Sequence, residues 1–275
     1  MTIVAIWREE GFLWSVADTR ICSPGDQGVV VLTDSGAKLL ALPTVCRRIP
    51  STTDEIGGVN PHFATEFGFA FAGASLPALM TYATVATFLQ NLATPKKEAP
   101  PRMSEVAELV RRVAQRFSDE VRLGRNSGAS QFESAVFGWC HTEARFQIFR
   151  IGGDSGELKI QEFNPTSEDE IVLLGSGQDE FRRKIHQFKN DGEPHGRTGR
   201  WPKLVVESMA LEGMGSVGGS LSIGITRKTG GYELFFWVRP REYGKSPAYF
   251  SFNGLEIEKD VGRVGRYIIN MAGMV

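Results

Sequence analysis

Residues 2–20 constrain this chain more than any other stretch. They run Thr-Ile-Val-Ala-Ile-Trp-Arg-Glu-Glu-Gly-Phe-Leu-Trp-Ser-Val-Ala-Asp-Thr-Arg. Aromatic and β-branched residues fill two short runs, Ile3–Trp7 and Phe12–Ala17, and Gly11 lies between them, so the segment predicts an antiparallel hairpin. The second strand ends in Ala17-Asp18-Thr19-Arg20. Removal of Met1 would leave Thr2 with a hydroxyl and a free α-amine, a nucleophile and a base within one residue.

Further strands are predicted at Val29–Leu32, Lys38–Leu42 and Phe67–Ala72, with Gly36 as a second short turn that favours antiparallel pairing. From Leu76 the apolar residues recur at helical spacing through Leu89 with almost no charge, which predicts a largely buried helix. Thr94–Pro101 breaks it. A second helix begins near Ser104 as N-cap, with Val106, Leu109, Val110, Val113 and Phe117 on one face and Arg111, Arg112, Gln115 and Arg116 on the other, which reads as a solvated face or subunit contact ahead of an anion-binding one. Strands return at Phe132–Cys140, Arg145–Ile151, Leu158–Phe163 and Ile171–Leu174. Helices follow at Asp179–Phe188 and Lys203–Leu211, around an exposed insertion at 189–200. Ser220–Thr226 and Tyr232–Val238 form a hairpin, and short strands are expected at Ala248–Phe252 and Tyr267–Met271. Taken alone, the pattern describes a mixed α+β domain.

The order of four features is similar to the β-type subunits of proteasomes and bacterial proteasome-like peptidases, which are N-terminal nucleophile hydrolases. They are Thr2 at the start, the Ala-Asp-Thr-Arg run, Lys38 in Asp34-Ser-Gly-Ala-Lys-Leu-Leu40, and Phe69-Ala-Phe-Ala-Gly-Ala74 before a long helix. That resemblance implies a four-layer αββα sandwich over 1–238, with 239–275 as an extension packed on the core or on a neighbouring subunit. It also implies Thr2 as nucleophile, Asp18 as the residue that holds Lys38, Gly73 as an oxyanion donor, and Phe71 and Ser75 near the substrate side chain. Lys38 either keeps its charge and lowers neighbouring pKa values or acts, neutral, as the base. Ser176, in Gly175-Ser176-Gly177, matches a serine turn that supports the amino terminus; the alternative, phosphate at a helix N-terminus, lacks a following Lys-Ser/Thr. At Gly213–Gly219 the resemblance expects an aspartate and a serine, and this chain has Met214 and Val217, with Ser216 one residue away as a possible amine anchor.

The implied function is hydrolysis of peptide or amide bonds in a ring or other homo-oligomer, served by a separate unfoldase, with peptide or protein as substrate. Two other readings stand beside it: a non-catalytic scaffold, and an amidase for small molecules without a chamber. No cofactor is expected. Gly213, Gly215 and Gly218 fit G-x-G-x-x-G, but a helix precedes them and a strand follows, the reverse of a dinucleotide site. His62, His141, His186 and His195 lack metal-ligand spacing, and neighbouring strand positions put Cys140 and His141 on opposite faces.

Composition removes other classes. The 31 basic and 32 acidic residues give a net charge of −1, without the footprint of a nucleic-acid or anionic-membrane binder. Cys22, Cys46 and Cys140 are an odd set without CxxC spacing, which suits the cytosol. No window approaches the roughly 18 uninterrupted apolar residues of a membrane span. Arg8, Glu9 and Glu10 interrupt the first apolar run, so no export signal is expected.

Overall fold

In the computed structural model the described residues are 2–25, 28–49, 61–94, 99–124, 132–153, 156–166, 170–190, 200–213, 215–229, 231–239 and 249–274. Met1, Met214 and most of the expected insertion, 191–199, lie outside them. In chain order the strands are β1 (Val4–Glu9), β2 (Phe12–Asp18), β3 (Ile21–Gly25), β4 (Gly28–Thr33), β5 (Leu39–Arg48) and β6 (Phe63–Gly73). Helix α1 (Ser75–Leu89), β7 (Leu92–Thr94) and α2 (Met103–Gly124) follow, then β8 (Phe132–Cys140), β9 (Arg145–Gly152), β10 (Lys159–Phe163) and β11 (Ile171–Leu174). Helices α3 (Gln178–Asn190) and α4 (Trp201–Glu212) precede β12 (Leu221–Arg227), β13 (Gly231–Arg239), β14 (Tyr249–Phe252) and β15 (Leu255–Glu256). A π-helical turn at Ile257–Val261 and the two-residue strands β16 (Arg263–Val264), β17 (Tyr267–Ile268) and β18 (Gly273–Met274) end the described chain.

The chain divides into two compact units. The first comprises 1–39, 167–225 and 234–275. Its sheet has the order β11-β1-β2-β12-β13-β14-β15, with β18 also paired to β13. The hairpin of β1 and β2 closes through Glu10 and Gly11 at φ 51° and 79°, the positive values that a type I′ turn demands. Its register sets Trp7 opposite Trp14, and their rings stack at 6.0 Å. The Trp7 indole donates to Glu9 Oε2 at 2.7 Å. Ile3, Ala5, Val16, Val206, Met209, Val217 and Ile223 pack in one apolar core between this sheet and its helices. Such burial, at about 1.5–3 kcal/mol per large apolar side chain, is the main stabilising term.

The second unit comprises 40–166 and 226–233. Its sheet runs β10-β9-β8-β6-β5-β7, with β7 parallel to β5. Phe67, Phe69, Phe71, Ala78, Val85, Val106 and Val110 belong to its core. Sheet neighbours thus pack on α1 and α2, which also contact each other.

Four expectations are corrected. Val29–Leu32 and Lys38–Leu42 do not pair across Gly36; β4 pairs β3 in a separate two-stranded ribbon, and β5 joins the other sheet. The cause is local: the Gly36 N–H donates to Thr19 C=O at 2.8 Å, which binds this loop to the end of β2 instead of letting it reverse. Helix α1 is not largely buried, because Leu76 and Leu79 face outward. Ser104 does not cap α2; the Arg102 N–H donates to Glu105 Oε2 at 2.8 Å, the reach-back half of a capping box. The expected strand at Tyr267–Met271 is only Tyr267–Ile268, paired with Arg263–Val264. Beyond Arg239, β14 pairs antiparallel with β13 and so continues the first sheet.

Candidate active site

Asp18 ends β2 with its side chain fully buried, and Lys38, which precedes β5, is 2% exposed. The Lys38 ammonium donates to Asp18 Oδ1 at 2.8 Å. The same oxygen accepts the Ile3 N–H at 3.0 Å. Asp18 Oδ2 accepts the N–H of Gly218 at 3.1 Å and that of Arg20 at 3.3 Å. One carboxylate therefore joins the start of β1, the end of β2, the lysine and the loop before β12. A buried charge with all its acceptor capacity used is tolerable; one without partners costs several kcal/mol. Burial pushes the Lys38 ammonium below the ordinary lysine range, and the Asp18 charge and hydrogen bond oppose that shift.

Thr2 is buried next to this centre. Its carbonyl accepts the Gly177 N–H at 3.3 Å, and the Asp18 N–H donates to Ile3 C=O at 3.3 Å. Thus the turn after β11 and the end of β2 both fix the first residues. Gly177 is packed among Ile3, Met209 and Val217, with each within 3.3–3.5 Å of an added Cβ. Ser176, its neighbour, is exposed.

Thr19 and Arg20 carry a supporting layer to which the sequence reading assigned no role. The Thr19 hydroxyl donates to Asp34 C=O at 2.6 Å and accepts the Ser220 N–H at 2.7 Å. Arg20 forks onto the Asp34 carboxylate at 2.6 and 3.2 Å and donates to Gly215 C=O at 3.1 Å. That guanidinium holds the Asp34 carboxyl below its usual range. Gly218 lies against it so closely that an added Cβ would meet Arg20 Cζ at 2.4 Å. At Gly219, φ is 81° and an added Cβ would meet the Asp34 carbonyl oxygen at 2.6 Å. Gly219 is thus required by close approach and backbone conformation together, whereas Gly218 makes room for the Arg20 guanidinium. The only signal for Thr19 and Arg20 in the sequence was their place in the Ala-Asp-Thr-Arg run.

The remaining expected residues are placed as follows. Ser216 is buried, and its hydroxyl has no hydrogen-bond partner among the described residues. Val217 is buried in the apolar core of the first unit. Phe71, Gly73 and Ser75 belong to the second unit: Phe71 sits in its core, Gly73 ends β6 exposed at φ 97°, and Ser75 opens α1 half-buried. The structure thus brings Thr2, Asp18, Lys38, Gly177 and the 215–220 loop together in one unit. Among the described residues no cluster of histidine, cysteine and carboxylate side chains is suited to a metal ion, and no helix is long and apolar enough to cross a membrane.

No family model matches the sequence, and no curated protein matches it. Solved structures do. A Gly-1 mutant of Anbu from Hyphomicrobium sp. strain MC1 superposes with a TM-score of 0.52 at 17% identity, covering 82% of each chain. Anbu from Yersinia bercovieri, described as an ancestral β-subunit, gives 0.50 at 15% identity over 82% of this chain and 81% of its own. A helical assembly of the Anbu complex from Pseudomonas aeruginosa gives 0.56 at 14% identity, covering 89% of this chain and 88% of that one. At such identities the shared property is the fold, and the chain accordingly has the proteasome-like α+β fold of the Anbu ancestral β-subunits.

Proposed function

We propose that this chain is a threonine-type N-terminal nucleophile hydrolase that cleaves peptide or amide bonds and works as a homo-oligomer. The observation that carries the reading is the fully buried Asp18–Lys38 pair, whose carboxylate accepts the N–H of Ile3, the residue after Thr2. A buried ion pair is poor value for stability when an apolar pair of similar volume serves as well or better. Its position beside a potential amino-terminal nucleophile supplies a reason for keeping it.

With Met1 removed, the Thr2 hydroxyl attacks the substrate carbonyl. Its proton passes to the α-amine, directly or through water, or to Lys38 if that group is neutral. Asp18 orients Lys38, as the third group orients the base in other triads. A backbone N–H at Gly73 stabilises the oxyanion in this reading. The proton is then given to the leaving amine, and water releases the acyl group from Thr2. Ser176 supports the amino terminus, and the Ser216 hydroxyl, which has no partner among the described residues, accepts a hydrogen bond from the α-amine in this reading. Phe71 and Ser75 border the substrate side chain. The proposal includes a four-layer αββα sandwich, a cytoplasmic location, a peptide or protein substrate and a separate unfoldase.

The intact mass of the purified protein tests the precondition, since a retained Met1 blocks the amine. Given a Thr2 terminus, an electrophilic threonine-directed probe should label Thr2, and Thr2→Ala should abolish both labelling and hydrolysis while leaving the fold intact. Full hydrolysis by that variant would sink the proposal. A second reading, a non-catalytic scaffold, is favoured by one observation: Val217 is locked into apolar packing where the resemblance expects a serine. It requires a retained Met1 and no labelling.

A further inference from the structure

Two exposed surfaces are apolar and, over their described residues, uncharged, and neither has a role in the chemistry above. On the ribbon of β3 and β4, Val29, Val30, Val31 and Leu32 are consecutive and 45–62% exposed. Successive strand residues point to opposite faces, so both faces of the ribbon show apolar side chains to solvent. Among the described residues its two strands pair only with each other. A two-stranded ribbon of this kind is marginal in water by itself.

The other surface is on α1, whose fifteen residues include no charge. Ala78, Val85 and Leu89 face the core. On the opposite side Leu76, Leu79 and Ala83 form an outward stripe at i, i+3 and i+7, with Leu76 65% exposed. Thr87 is the exposed hydroxyl on that side, where an exposed helix face ordinarily carries charged and polar residues. By contrast, α2 presents Arg111, Arg112 and Arg116 to solvent, paired with Glu108 and Glu120.

We infer that the β3–β4 ribbon of one copy docks on the outer face of α1 in the next copy, forming a head-to-tail joint. This rests on the homo-oligomer reading above and names the surfaces that make it. A second copy is the favoured occupant because the chain itself carries both halves of the joint, each apolar and free of charge over its described residues, so no foreign partner is needed to cover either. Patches on the order of a few hundred Å² mark interaction sites on otherwise polar surfaces. One such patch falls short of the roughly 800 Å² per partner of a stable interface. In a head-to-tail array every interior copy buries both. Because the two surfaces differ, the contact is heterologous and propagates to a ring or a helical array instead of stopping at a dimer. The helical assembly of the Pseudomonas aeruginosa protein is one such outcome for this fold.

The test uses full-length protein in a Cys22→Ser background, which removes the half-buried natural thiol. Val30→Cys and Val31→Cys, one for each face of the ribbon, are each combined with Ala83→Cys and treated with a short bismaleimide. At least one pair should give a ladder of dimers, trimers and higher species, whereas the three single variants give none. In parallel, the Val30→Lys, Val31→Lys double variant and Leu79→Glu should each reduce the particle, by light scattering, to the mass of one chain with an unchanged circular dichroism spectrum. If the parent is oligomeric but the paired cysteines give no ladder, or a ribbon cysteine alone links copies, the joint is elsewhere and this inference falls while self-assembly stands. A monomeric parent overturns both.

Discussion

The two units are built alike and stabilised differently. Each has a sheet covered by two helices and an apolar core, but among the described residues only the first places a charged pair in its interior. There the Asp18 carboxylate is fully buried and accepts four hydrogen bonds. In the second unit, the Arg150–Glu133 and Arg145–Glu162 pairs are partly open to water, with side-chain exposures of 33%/20% and 40%/38%. The second unit is what packing alone produces. The first departs from that pattern around Thr2, at a place where stability gives little reason to do so.

Breaking the buried pair should therefore have the largest effect. Asp18→Asn leaves a buried ammonium without its counter-charge and should cost about 3–5 kcal/mol. Urea titration of the variant measures this, and a loss below 1 kcal/mol would remove the distinction between the units. Next comes Gly219→Ala, which forces a side chain onto a left-handed backbone and against the Asp34 carbonyl. A loss of about 1–3 kcal/mol is expected from strain of this kind. Thr2→Ala, by comparison, should leave stability nearly unchanged while ending hydrolysis.

A pH series sharpens the comparison. Since burial holds the folded-state pKa of Lys38 below its ordinary value, the unfolded chain binds more protons in the interval just below that ordinary value. Stability contributed by this group then rises with pH across the interval. The difference in unfolding midpoint between the parent and Lys38→Met should follow that slope; the opposite slope would mean that Asp18 outweighs desolvation. The smallest effect belongs to Glu133→Gln in the second unit, at about 0–1 kcal/mol, as for other partly exposed pairs. A loss comparable to that of Asp18→Asn would show that the contrast between the units is false.

Much of the local structure was legible because it depends on neighbours in sequence. Hydrophobic period and the Glu10-Gly11 turn disclosed β1 and β2, and charge-free helical spacing disclosed α1. The outward stripe of α1 was not legible, because an uncharged helix gives no sign of which apolar residues the core leaves uncovered. The ribbon was missed for a related reason: Gly36 looks like a hairpin turn until Thr19 captures its N–H. Within the site, Asp18 and Lys38 could be nominated from order along the chain. The donors from Ile3 and Gly218 could not, since their separations of 15 and 200 residues record tertiary approach and leave no local trace.

That separation has a bearing on how the protein is made. The carboxylate at position 18 is synthesised 200 residues before its partner at position 218. Until then Asp18 and Lys38 lack the loop that encloses them, and the nucleophile is present without its surroundings. A chain that ends before the paired glycines carries Thr2, Asp18 and Lys38 but lacks the Gly218 N–H that their centre uses.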